Sequence, residues 1–68
     1  MTKNQIRIAR AIAHKADQEG TIQAWDIRDL QRRGVIPRDP RYTTTMSMDY
    51  AWQLAGLDPQ KCREYLFG

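Results

Sequence analysis

An all-α fold, with four helices packed into a compact single domain over residues 1–68, is what this sequence predicts, and three observations predict it. Apolar residues recur at three- and four-residue intervals within segments of helical length. The glycines stand singly, and Gly20, Gly34 and Gly56 fall just past the ends of those segments. Side chains with capping chemistry, Thr2, Asp26, Ser47 and Asp58 among them, fall just ahead of them. With 68 residues and 41% hydrophobic content the chain has enough apolar material for one core, and none to spare for a second domain.

The first helix is expected over residues 3–18. Thr2 followed by Gln5 fits a capping box, Ile8, Ala9, Ile12, Ala13 and Ala16 recur at helical spacing, and Gly20 supplies the stop. At about 100° per residue Lys3, Arg7, Arg10 and His14 gather opposite the apolar stripe. That face reads either as plain solvent surface or as a contact for a DNA backbone.

Thr21 to Ala24 is either an extended connector or an early start to the second helix. The stronger start is Asp26: as N-cap it puts Asp29 at the third helical position, where a carboxylate complements the dipole, and Trp25 and Leu30 in the two positions of a hydrophobic staple. This predicts helix 2 over residues 27–33, with Trp25 in the core. Gly34 ends it, and Val35-Ile36 folds back as an apolar anchor. Residues 37–42, with two prolines, read as a stiff extended loop projecting Arg38 and Arg41, next to a stacking-competent Tyr42; Asp39 neutralising one of the arginines is the alternative.

Helix 3 is expected over residues 46–55, opened by Thr45 or Ser47. Met48, Trp52 and Ala55, flanked by Ala51 and Leu54, make its buried side. With Gly56 at C′, Leu57 at C″ and Trp52 at C3, the last two form the hydrophobic contact of a Schellman motif, which assigns Trp52 to the core. Helix 4, residues 59–66, starts from Asp58-Pro59, buries Cys62, Tyr65 and Leu66, and turns Gln60, Lys61, Arg63 and Glu64 outward; Leu57 and Cys62 take staple positions.

The net charge is +3, and it is localised. Residues 28–41 carry Arg28, Arg32, Arg33, Arg38 and Arg41 against Asp29 and Asp39, whereas the two ends of the chain cancel. Such a segment suits an anionic partner, nucleic acid first, through phosphate neutralisation; an ordinary solvated loop is the bland alternative.

Catalysis is not expected. The chain has one His and one Cys; Ser47 is explained as a cap, His14 lies on a charged helix face and Cys62 on an apolar stripe, so no nucleophile has a base beside it. The same scarcity leaves neither an intrachain disulfide nor a metal-ligand set, the isolated glycines make no phosphate loop, and no cofactor is implied. Apolar runs of at most three residues exclude a membrane span and a signal-peptide core, predicting a cytoplasmic protein.

Residues 51–66 resemble the helix-turn-helix family of DNA-binding domains: Gly56 stands at the turn, Leu57 follows it, and apolar Cys62 and Tyr65 lie six and nine residues beyond the glycine. The position four before the glycine is usually small in that family, and here it is Trp52; Ala51 and Ala55 beside it leave room for a shifted crossing. The resemblance implies that helix 4 enters the major groove, with Gln60, Lys61, Arg63 and Glu64 as base-edge or phosphate contacts. The expectation is therefore a small regulatory protein binding duplex DNA through the helix-turn-helix and the arginine-rich segment. The alternative is an adaptor or inhibitor docking on a larger protein or nucleoprotein. Phe67 is the candidate contact of a homodimer, unless it folds back onto helix 1.

Overall fold

The computed structural model describes residues 1–38 and 44–68. In chain order they form α1 (Lys3–Lys15), β1 (Thr21–Ile22), α2 (Ala24–Arg32), β2 (Met46–Ser47), α3 (Met48–Leu54) and α4 (Pro59–Phe67). Among the described residues four helices are present as expected and the fold is mostly helical, with a small two-stranded sheet that the all-α expectation lacked. β1 and β2 pair antiparallel, Thr21 opposite Ser47 and Ile22 opposite Met46, and Ala16 makes a single bridge to Ile22.

α1 opens on the expected capping box: Gln5 N–H donates to Thr2 Oγ1 over 3.1 Å, and Thr2 N–H to Gln5 Oε1 over 2.9 Å. It ends three residues before the predicted boundary because Asp17 offers the backbone another partner. Its carboxylate accepts from the N–H groups of Glu19 and Thr21, and its own N–H donates to the Thr21 carbonyl, so the chain turns at Gly20 (φ 76°) and runs into β1. These bonds, the one from Thr21 first, hold the Asp17 carboxyl below the usual carboxylate range.

α2 starts at Ala24, three residues earlier than expected, with Gln23 in the cap position and no side-chain cap bond. Asp26 therefore sits inside the first turn instead of capping it, and the Trp25–Leu30 staple does not form. Ile27 and Leu30 set the buried side, and at 100° per residue Trp25 then points directly away from it. Trp25 is 69% exposed, which overturns its assignment to the core; Ile22, from the segment left open by the sequence, takes the buried place.

α2 and α3 end in the same way. Val35 N–H reaches the Leu30 carbonyl and Gly34 N–H that of Gln31; Leu57 N–H reaches the Trp52 carbonyl and Gly56 N–H that of Gln53. Each is a Schellman motif with glycine at positive φ, 74° and 80°. Val35-Ile36 does fold back, and Ile36 is buried. Ser47, not Thr45, caps α3, accepting from Tyr50 N–H at 3.1 Å, so Met46 belongs to β2 instead. Asp58 caps α4 through Gln60 N–H at 2.9 Å, with Pro59 in the first turn.

The core gathers from every element around Trp52, whose ring is wholly buried. Its indole N–H donates to the Ala9 carbonyl of α1 over 3.2 Å, which satisfies the one polar atom the ring carries inside. α1 packs against α2, α3 and α4 in turn. Cys62 and Leu57 are buried as expected; Tyr65, assigned to the same stripe, is instead 53% exposed.

Candidate nucleic-acid interface

Three shallow grooves follow the seam between α1 and α4 and fix how these helices lie. Met1 and Gln5 share one with Gly56, Leu57, Asp58 and Lys61; Lys3, Ile6, Arg7 and Arg10 share the next with Tyr65; Arg10, Ala13 and His14 share the last with Leu66 and Phe67. The start of α1 thus lies by the start of α4 and the end by the end, so the two run parallel. The middle groove has a volume of about 360 Å³. Its cations are spaced i, i+4, i+7 along α1, one face of the helix, and Tyr65 stands across from them.

α4 itself is nine residues long and buries only Cys62; Gln60, Lys61, Arg63, Glu64, Tyr65 and Phe67 are exposed. Not all of these are free to read a base. Arg63 donates through Nε (3.0 Å) and Nη2 (2.7 Å) to one Asp49 oxygen of α3, and Gln60 Nε2 lies 3.3 Å from Glu64 Oε1. Both pairs are exposed, and such pairs are worth about 1 kcal/mol or less, so a stronger acceptor displaces them cheaply. Lys61 has no carboxylate within ion-pair distance among the described residues, and on α1 Arg7 is steadied by Asn4 Oδ1 at 2.6 Å.

The arginines of the middle segment lie elsewhere. Arg33 Nε stands 3.1 Å from Asp29 Oδ2, and Lys15 Nζ of α1 bridges Asp29 (3.2 Å) and Asp26 (3.6 Å), which ties α2 to α1. The hydrogen bond from Lys15, and then the charge of Arg33, hold the Asp29 carboxyl below the usual carboxylate range. Arg28 and Arg32 are exposed on the outward side of α2 with Trp25, at i, i+3 and i+7. Arg32 and Arg38 border a separate trough of about 570 Å³ beside Val35 and Leu54. Arg41 lies outside the described residues, as do Asp39 and Tyr42 of the predicted stiff loop.

The structure therefore divides the predicted surface in two: Gln60, Lys61 and Arg63 on α4, and Arg28, Arg32, Arg33 and Arg38 on and after α2, with Arg33, like Arg63, in an exposed ion pair. It also adds Lys3, Arg7 and Arg10 to the α4 side. Their periodicity was visible in the sequence; the signal that α4 and Tyr65 would flank them was not.

Cys62 is enclosed, and burial first, then the charges of Asp58 and Asp49, push its thiol upward, keeping it protonated at neutral pH. Among the described residues no three His, Cys, Asp or Glu side chains lie close enough to hold a metal ion, and no helix is long and apolar enough to cross a membrane. No protein-family model, curated protein or solved structure matches the chain.

Proposed function

We propose that the chain is a small DNA-binding regulatory module that lays α4 in the major groove of duplex DNA and clamps the adjoining phosphates with Lys3, Arg7 and Arg10 of α1 and Lys61 of α4. The observation that carries this reading is the parallel pairing of α1 with a nearly bare α4. A reading helix must keep most of its circumference free and still be held rigidly, and α4 meets both needs: it is fixed by one buried side chain, a capped start and the Gly56 corner. The cationic row beside it supplies the sequence-independent attraction that a short helix needs. Tyr65, exposed between the two helices, offers a flat ring and a hydroxyl at the groove edge.

The test is the salt dependence of binding to random and selected duplex DNA. The intact chain should weaken steeply between 50 and 200 mM salt, and replacing Lys3, Arg7 and Arg10 with alanine should flatten the log–log slope by about 0.9 for each phosphate no longer neutralised. An unchanged slope in the triple variant, or no binding at the lower salt, refutes the proposal.

A further inference from the structure

The trough on the α2 side is not used by the DNA reading, and its lining is of a different kind. Ile8 of α1, Val35 of the connector, and Leu54 and Ala55 at the end of α3 give it apolar walls. Arg32 and Arg38 stand on its border, and neither has a carboxylate within ion-pair distance among the described residues. The nearby acids are already engaged: Asp29 and Asp26 hold Lys15, and Asp29 also holds Arg33. Gln31 lines the same trough, and its amide nitrogen is shut off from solvent with no hydrogen-bond partner among the described residues.

The geometry points to this trough as the docking site for an acidic amphipathic segment of a partner protein, one that seats leucine- or phenylalanine-type side chains between Val35 and Leu54 and sets carboxylates against Arg32 and Arg38. Charge complementarity selects the occupant. Two guanidiniums with no carboxylate partner among the described residues, at the border of an apolar floor, favour an anion that carries hydrophobic anchors, and carboxylates accept from guanidinium in paired hydrogen bonds. A nucleic acid would satisfy the arginines but leave the apolar walls in water. A small molecule fits less well, because ligand pockets enclose most of their guest and this trough is open along its length. Arg28 and Trp25 extend the outward ridge of α2 beyond Arg32, giving a longer partner further cationic and aromatic surface. The inference stands apart from the DNA reading: it places a protein partner on one flank of α1 while α4 occupies the other.

The experiment uses the full chain and a fluorescein-labelled synthetic peptide in which glutamate and aspartate alternate with leucine and phenylalanine. Two control peptides accompany it, one with lysine for every acid and one with alanine for every apolar residue. Binding is followed by anisotropy and mapped by amide chemical shifts. The acidic apolar peptide should bind and shift the amides of Gln31, Val35, Leu54 and Ala55, and both controls should bind at least tenfold more weakly. Arg32→Glu with Arg38→Glu, both at exposed positions, should reverse the preference toward the lysine peptide. Equal binding of the alanine control, shifts confined to α1 and α4, no binding at millimolar peptide, or duplex DNA shifting these same four amides would each overturn the inference. A failed peptide titration leaves the DNA reading untouched, and a failed DNA titration leaves the peptide result to stand by itself.

Discussion

The two tryptophans of this chain have opposite fates. Trp52 of α3 is wholly buried and bonded through its indole nitrogen to Ala9 of α1, whereas Trp25 stands out of α2 into solvent. Their local settings are alike: each lies in a short amphipathic helix that ends in a glycine Schellman corner. What differs is the register of the helix. α3 is capped by Ser47, which fixes its first turn and turns Trp52 inward with Met48 and Ala51. α2 has no side-chain cap; it begins where β1 delivers the chain, and that start rotates Trp25 to the outside. Where a helix starts thus decides more than its length, because it determines which residues are carried on its buried and exposed sides.

The largest test of this comparison is Trp52→Ala. It empties the centre of the core and removes the indole bond to the Ala9 carbonyl, so it should cost about 3 to 5 kcal/mol, enough to leave an 8 kDa domain largely unfolded by circular dichroism at room temperature. A melting temperature within a few degrees of the parent would mean that the ring is not the core's centre. Next come Gly34→Ala and Gly56→Ala. A methyl group at either position meets no atom within 4 Å, so only the positive φ is penalised, and each should cost about 1 to 2 kcal/mol in denaturant titrations. Unequal costs would show that the two corners are not equivalent devices. The smallest effect is expected from Trp25→Ala, within about 0.5 kcal/mol of the parent stability. A destabilisation comparable to that of Trp52→Ala would restore Trp25 to the core and refute the register argument.

Much of this contrast is legible in the chain itself. The Thr2–Gln5 box, the Asp58-Pro59 start, both glycine corners and the burial of Trp52, Leu57 and Cys62 follow from local chemistry, since each involves residues within a turn of one another. The pairing of Thr21 with Ser47 could not be read in this way, because two-residue strands show no alternation and their partners are far apart in sequence. Trp25 was misplaced for a related reason: Asp26 is the better cap by side chain, but β1 fixes where the helix starts, and that is a tertiary effect. The candidate interface was legible in its cations and not in their grouping. The sequence concentrates arginine between Arg28 and Arg41, whereas the fold brings Lys3, Arg7 and Arg10 beside α4 and leaves Arg28, Arg32 and Arg38 with α2. Helix packing order, which no single segment encodes, makes that division.

The parallel course of α1 and α4 also gives the molecule a polarity. Peptide dipoles in the two helices add instead of opposing, so partial positive charge collects at the end where both begin and partial negative charge at the end near His14 and Phe67. Neither helix carries an acid in its first turn; Asp58 offsets the field at the α4 start, while the neutral Thr2 cap leaves that of α1 unopposed. On the proposed DNA reading, the partial positive charge at that end, which acts within the first turn of each helix, would add to Lys3 and Lys61 in holding a phosphate there. On that reading, the direction in which two helices run would decide which end of the seam holds a phosphate more tightly.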